Sequence, residues 1–185
     1  MSTEQELTKN YSGIFGNQVV LRNRRGKSVM TIPLNKPKKE PTEKQRKVRE
    51  NFKLASLYAQ NILQDPDMLV AYTAKARNGL SAYIVAMTDY LRPPVVVEIN
   101  TGDYDGKPGN KIHVVAFDFF AITEVTVQIL DNKGVEIEKG NCVQDPVTGN
   151  FDFTATVVID NLKGVAVIAK ASDYPGHTGR LSVIL

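Results

Sequence analysis

The chain has 185 residues, 42% of them hydrophobic and 23% charged, the make-up of an ordinary globular protein able to bury a core. It has no apolar run of about 18 residues, which excludes a membrane-spanning helix, and its single cysteine, Cys142, excludes an internal disulfide. The net charge of +3 hides an uneven layout: residues 1–94 carry 16 Lys/Arg against 8 Asp/Glu, and residues 95–185 carry 7 against 12.

In chain order, residues 1–12 are polar and read as a flexible arm with no apolar core of a signal peptide. A cytoplasmic or particle-associated location is the expectation. Residues 17–22 and 27–32 are two β-prone runs around Asn23-Arg24-Arg25-Gly26, which predicts a hairpin with Gly26 at positive φ. Residues 33–41 hold three prolines and three lysines and read as an extended connector.

Thr42-Glu43-Lys44-Gln45 fits a capping box, so a helix is predicted from Thr42, with Val48, Phe52, Ala55, Ala59 and Ile62 on one face. Asp65-Pro66 starts a second helix as N-cap and first residue, and Asn78-Gly79 ends it. A third, over residues 81–91, is expected to bury Tyr83, Ile84, Met87 and Leu91 before Pro93-Pro94 stops it.

After Pro94 the apolar period becomes two. Residues 95–99, 111–117, 124–130, 135–138, 151–158, 164–171 and 180–184 are seven strand candidates separated by turn signals. The expected fold class is α+β: a basic β-hairpin arm (1–41), short helices (42–93) and an all-β immunoglobulin-like sandwich (94–185).

Two resemblances carry part of this reading. Ala171, Asp173 and Gly176, following an apolar run, resemble the end of the penultimate strand and the final turn of bacterial immunoglobulin-like modules. His177 stands where those modules usually have Asn. The wider layout is similar to uncharacterised proteins of Bacteroidetes and their phages: Gly16-Asn17, then Gly26-Lys27, then Gln45, Arg49 and Phe52 in a helix, then a terminal immunoglobulin-like module. That resemblance implies a structural role in a multi-copy assembly, phage-like or filamentous.

No catalytic constellation is legible, so the expectation is a protein that is not an enzyme. His113 and His177 are the only histidines; the first sits in a strand pattern, the second in a Pro-Gly turn. Two histidines and one distant cysteine give no zinc spacing, and Gly26-Lys27-Ser28 lacks the earlier glycine of a phosphate loop, because position 21 is Leu. Asp103-Tyr104-Asp105-Gly106 suggests a calcium loop, but the twelfth position is Val114 where a bidentate Glu is needed. A cation pooled by Asp103, Asp105 and Asp173 stays as a minor reading beside a plain Asx turn. No cofactor or small-molecule substrate is expected.

The densest feature is cationic: residues 21–55 hold 12 Lys/Arg and 3 Asp/Glu. The candidate interaction residues are Arg22, Arg24, Arg25, Lys27, Lys36, Lys38, Lys39, Arg46, Lys47 and Arg49. Such a run serves a subunit contact, a solvated surface, or a polyanion such as nucleic acid. No aromatic lies between Phe15 and Phe52, so a base-stacking platform is missing there. Opposite-sign halves favour a homo-oligomer in which the arm of one copy meets the acidic sandwich, or the helices, of the next. The alternatives are a nucleic-acid-binding protein and a ligand- or carbohydrate-binding module using Tyr104 and Tyr174.

Overall fold

The computed structural model describes residues 12–16, 18–24, 27–33, 40–77 and 79–185, with Arg24 as backbone only. The chain divides into two compact units, Met1–Glu43 and Lys44–Leu185.

In the first unit, β1 (Gly13–Phe15), β2 (Val19–Arg24) and β3 (Lys27–Thr31) form an antiparallel sheet in the order β1-β2-β3. The β2–β3 pair is the predicted hairpin, closed in register at Arg24↔Lys27. The strand β1 was not legible because three residues are too few to show alternation. Gly16, at φ +55°, makes the β1–β2 turn, where Gln18 N donates to Phe15 O at 3.0 Å. The expected positive φ at Gly26, the arm before Ser12 and most of the connector lie outside the described residues. Among the described residues of this unit only Val20 is buried. Within the unit's described residues the sheet is a single layer, which leaves few positions to bury.

In the second unit, α1 (Glu43–Ile62), α2 (Pro66–Lys75) and α3 (Ala82–Leu91) share a core of Ala55, Ala59, Tyr72, Val85, Ala86 and Met87. Asp65 caps α2 as expected, its carboxylate accepting from Asp67 N and Met68 N. That helix ends at Lys75, ahead of Asn78-Gly79, because Ala76 turns extended (ψ 119°) and its N–H closes the last turn on Tyr72 O and Thr73 O. Gly79 instead serves the following turn at φ +72°. The face of α1 is the expected one, yet only its second half is covered: Ala55 and Ala59 are buried while Val48 and Phe52 stay exposed. In α3 the buried set is Val85, Ala86, Met87 and Asp89, whereas Ile84 and Leu91 are exposed. The buried face thus includes Asp89, which accepts a hydrogen bond from the Tyr72 hydroxyl.

Eight strands follow: β4 (Val95–Asn100), β5 (Lys111–Phe117), β6 (Ile122–Leu130), β7 (Glu136–Asn141), β8 (Val143–Gln144), β9 (Phe151–Thr154), β10 (Ala166–Asp173) and β11 (Thr178–Ile184). They form two four-stranded antiparallel sheets, β4-β5-β9-β8 and β11-β10-β6-β7. Lettered in chain order these are ABED and GFCC′, the immunoglobulin-like Greek key. The inner faces supply one core: Val96, Ile112, Val114, Phe151 and Phe153 from the first sheet, Val125, Val127, Ile129, Val167, Ala169 and Ala171 from the second. Roughly 25 cal/mol per Å² of apolar surface buried between the layers replaces the disulfide that many such sandwiches carry. The strand expected over residues 151–158 stops at Thr154, because Glu138 accepts hydrogen bonds from Thr156 N and Val157 N and turns the chain away from the ladder.

Candidate interaction surfaces

The cationic residues predicted from sequence fall into three groups. Arg22 and Lys27 are exposed on the arm sheet. Lys27 and Val29 alternate onto one face of β3, and Val29 is the register partner of Arg22, so Arg22, Lys27 and Val29 share a face. Ile14 joins them through its pairing with Val20, two residues before Arg22. The other face carries Phe15, Leu21 and Met30. Arg46, Lys47 and Arg49 lie on the exposed first turns of α1, where Arg46, Arg49 and Lys53 at spacings of 3 and 4 make one stripe opposite Ala55 and Ala59. Arg25, Lys36, Lys38 and Lys39 lie outside the described residues, as does the side chain of Arg24.

The sandwich has two outer faces of different charge. On the β4-β5-β9-β8 sheet, Asn100, His113, Asp152 and Val143 stand in one cross-strand row. His113 Nδ1 lies 2.7 Å from Asp152 Oδ1, and its Nε2 lies 3.2 Å from Asp103 Oδ2. Lys111 Nζ reaches the other Asp152 oxygen at 3.0 Å. Hydrogen bonding to Asp152, then to Asp103, raises the His113 pKa above its ordinary value, and the same contacts hold Asp152 below the usual carboxylate range. Beside this row Glu98, Asn100, His113, Asp145, Thr148 and Asp152 line a shallow groove. Both His113 nitrogens face carboxylates, and no hydroxyl or thiol nucleophile is in hydrogen-bond contact with the ring among the described residues.

The opposite outer face is mixed. Lys170 pairs with Arg180 across β10 and β11, and Lys139 stands opposite Gln128. Glu124 and Glu136 face the same side but are engaged by the side-chain amides of Asn141 and Gln128.

A third cluster lies where the helices meet the end of the sandwich. The segment Asp118-Phe119-Phe120 between β5 and β6 inserts its rings among the helices. Phe120 stacks on Tyr72 with centroids 4.1 Å apart and meets Tyr174 edge-on at 5.8 Å, while Arg92 lies 5.2 Å over the Phe119 ring. Tyr90 meets His177 edge-on at 4.7 Å. Burial pushes the Asp89 carboxyl up to about 6, a rise that its hydrogen bond from Tyr72 opposes and the nearby Asp118 and Asp173 carboxylates reinforce. Sequence reasoning missed this cluster: its residues come from α2, α3, the β5–β6 segment and the β10–β11 turn, and no local pattern joins them.

Asp103 contacts His113 near the start of β5, whereas Asp173 pairs with Ile122, beyond the far end of that strand. The two acids sit at opposite ends of the sandwich, and Asp105 pairs with Lys107, so the three do not pool around a cation. Among the described residues no three His, Cys, Asp or Glu side chains converge as metal ligands. Tyr104 is buried, which removes it from any ligand-contacting surface; Tyr174 is half-exposed. Cys142 is partly buried, and its thiol is pushed up to about 12 by burial, away from thiolate reactivity. No helix among the described residues is long and apolar enough to cross a membrane. Comparison with family models, curated proteins and solved structures finds no match.

Proposed function

We propose that the protein is a non-enzymatic assembly subunit, in which the basic arm of one copy binds the acidic sandwich of the next. The observation that carries this reading is the arm itself. It is a single three-stranded sheet with Ile14, Phe15, Val29, Met30 and Ile32 exposed and one buried side chain, Val20, among its described residues. A lone layer of this size is marginal in water and gains a second layer by docking. Its charge is opposite to that of residues 95–185, which favours a sister molecule as the partner. Multi-angle light scattering at low salt tests it: the full chain should run as oligomers that dissociate when residues 1–41 are deleted. A strict monomer at high protein concentration would refute the reading.

A second reading is favoured by the stripe of Arg46, Arg49 and Lys53 on the exposed side of α1, whose spacing suits a row of phosphates. On that reading the chain binds a nucleic acid through its backbone charge. Fluorescence anisotropy would then show affinity falling steeply and linearly on a log–log salt plot. Salt-insensitive binding, or none at low salt, removes it.

A further inference from the structure

The geometry points to the outer face of the β4-β5-β9-β8 sheet as the surface on which a second copy of this chain lays the arm face bearing Arg22 and Lys27. The inference rests on the assembly reading above and assigns its receptor. The two outer faces of the sandwich are alternatives for the same task, and charge separates them. One carries Glu98, Asp103, Asp145 and Asp152 against Lys111 and His113. The other carries Lys139, Lys170 and Arg180 against Glu124 and Glu136. A cationic sheet is attracted by the first and gains no such attraction from the near-balanced second.

Within the favoured face the charges differ in availability. Both oxygens of Asp152 are taken, one by His113 and one by Lys111. Glu98 is exposed and is in no ion pair among the described residues, so it is open to an incoming guanidinium. Asp145, lining the same groove, accepts from the neutral donors Val147 N and Thr148 Oγ1 and is in no ion pair with a cation among the described residues. Apolar surface is matched as well. Val95 pairs with Phe117 at one end of the face, both more than half exposed, and Val143 ends the His113 row at 74% exposure. The arm offers Ile14 and Val29 beside its cations, so each side presents apolar side chains set among charges of one sign. Shielding those side chains together supplies area, and the charges set which faces meet.

The experiment uses the full chain with paired charge reversals, read by analytical ultracentrifugation at low salt. Glu98→Lys with Asp145→Lys should weaken self-association at least tenfold, whereas Glu124→Lys with Glu136→Lys on the opposite face should change it less than threefold. Arg22→Glu with Lys27→Glu should weaken it alike, and mixing those two weakened chains should restore hetero-association. Circular dichroism of each variant guards against misfolding, and the mixing arm stays decisive if one variant is unstable. If the unaltered chain assembles but Glu98→Lys with Asp145→Lys leaves assembly intact, the receptor face is wrong while the assembly reading survives. A monomeric unaltered chain overturns both.

Discussion

The Tyr72 hydroxyl donates a 2.7 Å hydrogen bond to Asp89 Oδ2, and both side chains are fully buried. Because that proton is committed, the 2.9 Å contact between the Tyr58 and Tyr72 hydroxyls has Tyr58 as donor. The relay ends on a carboxylate whose other oxygen, Oδ1, has no partner among the described residues. Helix propensity would not place Asp at this position; the hydroxyl of α2 holds it there.

This pair predicts a stability that falls as pH rises. Burial lifts the Asp89 carboxyl from 3.8 to about 6, so the folded chain holds a proton that the unfolded chain releases. The stability it contributes is complete below the unfolded value and is lost as pH climbs through the folded one. The facing groups are Tyr72, Asp118, Asp173 and His177, of which the two carboxylates sharpen the rise and His177 opposes it. Asp89→Asn should therefore raise the melting temperature at pH 7.5 by an amount corresponding to roughly 2–3 kcal/mol, and give no gain near pH 4. Thermal melts across pH check this; an equal effect at both pH values would count against it.

Gly106 and Gly109 separate two costs of adding a methyl group. Both have positive φ, +86° and +88°. At Gly106 a Cβ would collide with the backbone carbonyl of Ile159, while at Gly109 it meets open space. Gly109→Ala should cost about 1 kcal/mol from backbone strain alone, and Gly106→Ala at least about 2 kcal/mol more, measured by urea unfolding. Equal losses would show that the loop shifts freely.

His113 should titrate above 6.5, with Asp152 as the main cause. Its contribution to stability is present below 6.5 and fades as pH rises through the folded value. In NMR, Asp152→Asn should bring the His113 midpoint down further than Asp103→Asn does, since the Asp103 contact is the longer and more exposed one. The reverse order would reassign the partner.

Along α1, position decides the cost of substitution. Phe52→Ser should change stability by less than about 0.5 kcal/mol, because the ring is 58% exposed. Ala59→Leu, at a site with no room, should cost about 1–3 kcal/mol by overpacking. Chemical denaturation of the two variants compares them directly.

Much of the fold was legible because local signals agreed with the final structure. The Asp65-Pro66 helix start and the alternation of Val125, Val127 and Ile129 each follow from residues close in sequence. The sheet order did not: the pairing of β5 with β9 spans about 40 residues and leaves no local trace. The candidate surface was half legible. The cations announced themselves by density, whereas the acidic groove draws Glu98, Asp145 and Asp152 from three segments that only the sandwich brings together. The exposure of Val48 and Phe52 was hidden for a related reason, since periodicity marks a face without saying how far its cover extends.

The helices and the sandwich are joined with almost no slack. Only Arg92, Pro93 and Pro94 stand between the last residue of α3 and the first of β4. The two prolines fix their own φ, and Gly179 of β11 runs so close to the Pro94 carbonyl that no side chain would fit between them. Traction applied to the helices is thus delivered to β4 through the chain and to the β5–β6 segment through the packed Phe119 and Phe120 rings. Where the opposing pull acts at the far end of the sandwich, the antiparallel β4–β5 ladder is loaded in shear along the strand rather than peeled bond after bond, and the helical end acts as a stiff handle instead of a tethered bead.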